Sequence, residues 1–251
     1  MVIGFDRFRE AFRDFAENYI VIGGSACDWL FTSLNAQFRA TKDIDLVVVA
    51  EHMSSAFAAM IWSFVNAGGY SAYERKDGKK CFYRFLNPTT AGYPFMLEFF
   101  AREPIGFPVD KKTVIVPIPV DNEDISSLSG ILMDENYYSF IRSHRIEVEG
   151  VSILPAEALL LLKARAWFDL SMRKARGEFV KDKDVRKHRT DILRLQAQIV
   201  EGTVVELADP IKVEMRDFLA HYETMPLDPK AIGVPGSFGG AIERIKNIFG
   251  I

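Results

Sequence analysis

The hydrophobic pattern of this 251-residue chain changes period near Pro155, and that change limits the architectures open to it. Before Pro155, short apolar, β-branched runs alternate with stretches of helical spacing; after it, only helical spacing recurs. Phe5, Phe8, Phe12 and Phe15 recur at helical intervals with Arg and Glu between them, which predicts an amphipathic first helix whose apolar stripe faces a core. Tyr19-Ile20-Val21-Ile22 reads as a strand that stops at Gly23-Gly24, and 25–34 as a helix capped by Ser25. The next strand is expected over 43–49, followed by a helix over 53–67 that ends at Gly68-Gly69. Strands are expected over 70–74, 80–86 and 94–101, with Asp77-Gly78 as the turn between the first two. A further strand at 113–117 carries prolines and so suits an edge. Residues 121–141 are polar and partly helical, and 145–153 suggests a short hairpin around Glu149-Gly150. Helices are then expected over 156–174, 184–201 and 211–222, with a last one over 241–249 after a Pro/Gly-rich stretch at 226–240. The fold class is therefore α/β (α+β), a mixed sheet flanked by helices and followed by a helical C-terminal part, with the boundary near 142–155.

Composition narrows the function classes. Twenty Phe residues and a 49% hydrophobic content describe a chain that builds a real core. The formal net charge of −3 does not describe a bulk DNA binder. Cys27 and Cys81 are too few for a disulfide framework, which fits a reducing compartment. The N-terminus interleaves charges with apolar residues, and no run approaches the roughly eighteen apolar residues that span a bilayer. The expectation is a cytoplasmic protein with no membrane partner.

Chemistry concentrates around Asp43 and Asp45. Two apart on a strand, they point to one face with β-carbons roughly 7 Å apart, while Ile44 and Leu46 point into a core. Carboxylates that close repel unless something positive sits between them, and a hard divalent cation, Mg²⁺ or Mn²⁺, takes oxygen ligands of this kind and keeps substrate phosphates in its shell. The bland alternative is a pair of solvated aspartates at a strand end. Gly23-Gly24-Ser25, between a strand and a helix, lets a phosphate approach the backbone at a helix N-terminus. Arg39 can grip phosphate with two donors, and Thr41 can orient a carboxylate. Glu98 stands inside the apolar run Phe95 to Phe100, where an isolated carboxylate is expensive unless paired or metal-bound; otherwise it is a strand-edge residue facing solvent. Lys163 follows four leucines on a helix and either snorkels to water or reaches a phosphate. Lys187 and Asp191 have the spacing of an ordinary helix-surface ion pair, and His188 reads as a surface residue.

Gly23-Gly24-Ser25, followed by Arg39-Ala-Thr41-Lys-Asp43-Ile-Asp45-Leu46, resembles the signature of the nucleotidyltransferase superfamily, and more narrowly its AbiEii-type branch, the toxin side of bacterial abortive-infection toxin–antitoxin pairs. The segment around Lys163-Ala-Arg165 is similar to that branch's helical Lys segment, and Lys187-His188-Arg-Thr-Asp191-Ile192 to its segment with a helical Asp. The similarity runs from about Tyr19 to Leu195; the spacing from Ser25 to Asp43 is longer than in minimal members, and Glu98 stands where an Asp is more usual. The resemblance implies a catalytic domain over 1–145 and a mostly helical domain over 146–251 that closes the cleft. It implies transfer of a nucleoside monophosphate from an NTP to an RNA, protein or small-molecule acceptor, with an antitoxin protein as partner. Asp43 and Asp45 would be the metal ligands. Gly23, Gly24, Ser25, Arg39 and Thr41 would bind the nucleotide. Glu98, Lys163 and Asp191 would complete the catalytic set. Two other readings stay open: an antibiotic-type nucleotidyltransferase, and a non-catalytic NTP- or RNA-binding module that keeps the fold.

Overall fold

The computed structural model describes residues 2–52, 54–74, 80–100 and 134–251, with 72–74 and 80–83 as backbone alone. The strand expected at 113–117, the turn at Asp77-Gly78 and most of the stretch 121–141 lie outside the described residues. The described residues form two compact units, one within Met1–Asp124 and His144–Leu154, the other within Ile125–Ser143 and Pro155–Ile251.

The first unit is built on a mixed sheet. Its strands are β1 (Tyr19–Ile22), β2 (Asp43–Val48), β3 (Ser71–Glu74), β4 (Lys80–Leu86), β5 (Met96–Phe100), β6 (Ile146–Val148) and β7 (Val151–Ile153). They lie in the order β3-β4-β5-β2-β1-β7-β6. β2 runs antiparallel to β1 and parallel to β5, while β4 and β5 are antiparallel. The hairpin β6–β7 joins the sheet through the parallel pairing of β7 with β1. Its turn places Glu149 at φ 52 and Gly150 at φ 78, the pair of left-handed residues that a two-residue hairpin needs. With the helical unit that follows, this is the α/β-then-α architecture the period change predicts.

Register explains which face is core. Tyr19 pairs with Val48 and Val21 with Leu46, so these side chains share one face with Ile44. Helices α1 (Phe5–Phe12), α2 (Gly23–Ser33) and α3 (Ser55–Gly68) supply the aromatic rings that meet it. Phe8 packs edge-on against Tyr19 and Phe64, Phe12 against Phe57 and Phe64, and Phe5 stacks on Trp29. Each fully buried Phe contributes about 1.5–3 kcal/mol of transfer free energy, so this cluster anchors α1 and α3 to the sheet. The helical spacing of Phe5, Phe8 and Phe12 is thus a core stripe, and Phe15 falls in a short 3₁₀ turn beyond α1. Ser54 caps α3 by accepting a hydrogen bond from the Phe57 amide, and Gly69, at φ 62, ends it.

One local expectation is corrected. α2 begins at Gly23 instead of Ser25, its N-cap position is Ile22, and no side chain caps it. Ser25 sits inside the first turn and its hydroxyl donates to the Ile22 carbonyl. The strand feeds directly into the helix, so the glycines are its first turn and not a loop before it.

The second unit comprises α4 (Glu135–Ser143), α5 (Ala156–Ala175), α6 (Asp182–Gln198), α7 (Asp209–Glu223) and α8 (Phe238–Phe249). α5 buries Leu159, Leu160, Leu161 and Leu162 together with Trp167, so it is apolar on nearly every side in this stretch and forms the unit's core. Trp167 meets Phe218 and Tyr222 of α7 edge-on. α7 opens with Pro210 in its first turn, where the missing amide costs nothing, and α8 is capped by Ser237, which accepts from the Gly240 amide. Among the described residues no helix is long and apolar enough to cross a membrane.

Candidate active site

β2 delivers two carboxylates to one face. Ile44 and Leu46 are fully buried, and Asp43 and Asp45, which alternate with them, are half-buried. Across the sheet, Asp45 lies in register with Ile22 of β1 on one side and Glu98 of β5 on the other, and Glu98 lies in register with Arg84 of β4. Register partners share a face, so Asp45, Glu98 and Arg84 form one row of charged side chains. Asp43 stands on the same face two positions along β2.

The solvent-facing reading of Glu98 is therefore corrected. β5 is an interior strand between β4 and β2, and the Glu98 side chain is 14% exposed. The Arg84 Nε donates to Glu98 Oε1 at 2.5 Å, and Arg84 Nη2 contacts the same oxygen. Burial, and then the negative charge of Asp45, push the Glu98 carboxyl up to about 7, while Arg84 pulls the other way. Glu98 and Asp45 are also within hydrogen-bonding reach of each other. Arg84 did not enter the sequence reading, yet its signal was the same as that of Glu98: a lone charge inside an apolar strand, Phe82-Tyr83-Arg84-Phe85-Leu86.

The glycines form the other wall. Gly23 adopts φ +69, and a Cβ built there would fall 2.0 Å from Asp45 Oδ2. A Cβ on Gly24 would meet Thr41 Oγ1 at 2.9 Å and Arg39 Nη2 at 3.3 Å. Both positions therefore exclude a side chain, Gly23 for conformation as well as space. The segment before β2 brings Thr41 and Arg39 over the first turn of α2, and the Arg39 guanidinium also lies 5.2 Å above the Phe38 ring. The start of α2, uncapped by any side chain, offers first-turn amides and the positive end of the helix dipole beside Asp45. Gly23, Gly24, Arg39, Thr41, Asp45 and Glu98 are thus gathered in one place, with Asp43 on the same face.

Lys163 and Asp191 lie in the second unit and form a pair of their own. Lys163 Nζ is 3.4 Å from Asp191 Oδ2, with the side chains 6% and 0% exposed, and Arg194 approaches the other Asp191 oxygen at 3.9 Å. A snorkelling Lys163 and an exposed Lys187–Asp191 pair are both corrected by this burial. The leucine run places Lys163 in the packed seam between α5 and α6, where an amine needs a buried counter-charge. His188 is half-buried on α6.

Two aspartates on one face, with a neighbouring glutamate, are hard oxygen donors that suit Mg²⁺ or Mn²⁺. Among the described residues no three His, Cys, Asp or Glu side chains converge as a ready-made metal cage.

No family model matches the chain, and no curated protein matches it. Among solved structures, an antigenic nucleotidyltransferase-like protein from Paracoccidioides brasiliensis aligns over the full length of both chains, at 13% identity and a TM-score of 0.45. A likeness of that depth leaves fold and chemistry to be argued from the residues.

Proposed function

We propose that the protein is a metal-dependent nucleotidyltransferase that moves a nucleoside monophosphate from an NTP to an acceptor hydroxyl. One observation carries the reading: Asp45, two residues from Asp43 on one sheet face, lies against a Gly23–Gly24 helix start that has no room for a side chain. A glycine floor at a helix N-terminus beside paired carboxylates suits a phosphate chain and its cation together. Asp43 and Asp45 are the residues that would hold Mg²⁺ or Mn²⁺, which when bound neutralises phosphate charge and stabilises attacking and leaving oxygens. Gly23, Gly24 and Ser25 present backbone amides to the triphosphate, while Arg39 and Thr41 close over it from the segment before β2. Nucleotidyl transfer asks little more of a protein than in-line positioning and charge stabilisation. Glu98, raised to about 7, is poised near neutral pH to take the acceptor's proton.

The finer reading follows the AbiEii resemblance: a cytoplasmic toxin-like transferase with an RNA, protein or small-molecule acceptor and an antitoxin partner.

The test is calorimetric titration of ATP, GTP, CTP and UTP with and without Mg²⁺, on the wild type and on Asp45→Asn. At least one NTP binds more tightly with metal, and Asp45→Asn loses that increment. If no nucleotide shows it, the reading is lost. Pyrophosphate release on adding acceptor pools then separates a transferase from a binding module, which binds NTP without turnover.

A further inference from the structure

Resting on the reading of Asp43 and Asp45 as cation ligands, we propose that Arg84 is a positioning residue that holds Glu98 outside the cation's ligand set and so lowers the cation affinity of the aspartate pair. The row Arg84–Glu98–Asp45 spans three neighbouring strands, with Glu98 in the middle. Two guanidinium nitrogens, Nε and Nη2, contact one oxygen of Glu98. For Glu98 to become a ligand it has to move toward the aspartates, and that movement stretches these charge-assisted bonds at a site where both side chains are mostly buried, 27% and 14% exposed. Arginine, moreover, cannot release its charge by losing a proton. The described carboxylates accordingly do not converge in threes. Arg84 is also a permanent positive charge about two strand spacings, roughly 10 Å, from Asp45, and it opposes the approach of a divalent cation. The backbone fixes this arrangement, because Arg84 and Glu98 are register partners on adjacent strands. The clamp is therefore part of the sheet and not a surface side chain that swings freely.

The experiment is a Mn²⁺ titration of the nucleotide-free protein, by calorimetry and by the loss of the free-ion paramagnetic resonance signal. Arg84→Gln is expected to bind Mn²⁺ about tenfold more tightly than the wild type, because the opposing charge is gone and Glu98 is released. The double variant Arg84→Gln/Glu98→Gln keeps the net charge of the wild type. It replaces an ion pair by a neutral pair, an exchange that buried sites tolerate, and it is expected to return within about threefold of wild-type affinity. Unchanged or weaker binding in Arg84→Gln overturns the proposal. So does a tenfold loss in the double variant, which makes Glu98 a ligand. If Arg84→Gln fails to fold, Arg84→Lys takes its place: a single ammonium holds Glu98 less firmly than the guanidinium fork, so Mn²⁺ is expected to bind more tightly than in the wild type, and unchanged or weaker binding overturns the proposal. A merely structural Arg84 gives no gain in affinity in any variant. Failure of the underlying site is distinguishable, since wild-type Mn²⁺ binding is then absent or indifferent to Asp45→Asn, and this inference falls with it.

Discussion

The two units each bury an ion pair, and the pairs differ in balance. In the second unit Asp191 has no exposed surface, faces Lys163 and has Arg194 as a further cation nearby. Positive charge there meets or exceeds negative charge, and the helices close over it. In the first unit Arg84 stands against Glu98, Asp45 and Asp43 add negative charge on the same face, and Arg39 lies over the glycines beside them. A balanced, enclosed pair has its charges satisfied by the protein itself. Several carboxylates on one face beside a helix start concentrate negative charge that a bound cation would offset. Burial is common to both pairs, while the gathering of carboxylates beside a helix start belongs to the first unit.

Four measurements test this contrast, ordered by their effect on stability. Asp191→Ala leaves Lys163 buried without its counter-charge and is expected to cost about 3–5 kcal/mol in urea unfolding. A loss under about 1 kcal/mol means the pair is not what holds α5 to α6, and the contrast collapses.

The next effect is pH-dependent. A carboxyl raised to about 7 in the folded protein binds its proton more tightly there than in the unfolded chain. Its stabilising contribution is therefore complete below about pH 4.5 and lost as the pH rises through 7. In metal-free buffer the wild type is expected to lose up to about 3 kcal/mol relative to Glu98→Gln between pH 5 and pH 8. Parallel pH profiles for the two proteins would remove the charge excess from the first unit.

Gly23→Ala forces an L side chain into φ +69 and against Asp45 Oδ2. A stability loss of about 1–3 kcal/mol is expected, together with loss of metal-dependent nucleotide binding because Asp45 is displaced. Retention of that binding would detach the glycine wall from the site.

Asp45→Asn has the smallest effect on stability, within about 1 kcal/mol and in the stabilising direction without metal, since it relieves like-charge repulsion beside Glu98. Its effect on nucleotide binding is the reverse, complete loss of the metal-dependent part. A variant that unfolds instead would place Asp45 with Asp191, as a structural charge.

Much of this was legible in the residues. The strand–helix alternation, the alternation of Asp43 and Asp45 with Ile44 and Leu46, and the glycine pair at a strand–helix junction are local patterns, and backbone geometry converts them directly into faces and turns. The start of α2 was misplaced because Ser25 has the residue type of a cap, whereas the strand–helix continuity that removes the cap site depends on how β1 lies against β2. Glu98 was legible as an anomaly and not as a neighbour of Asp45.

That two carboxylates share a face beside a helix start is a local property of the chain, because side-chain alternation has a period carried residue by residue. The pairing of β5 with β2 and of β4 with β5, which turns Asp45, Glu98 and Arg84 into one row, is set by the folded sheet. Likewise the packing of α6 on α5 brings Asp191 to Lys163 of the adjacent helix, 3.4 Å away, at a place where neither side chain is exposed. The physical reason is the same in both cases. Strand order and helix packing are chosen by burial summed over the whole unit, and no single segment carries a local record of which neighbour it will meet.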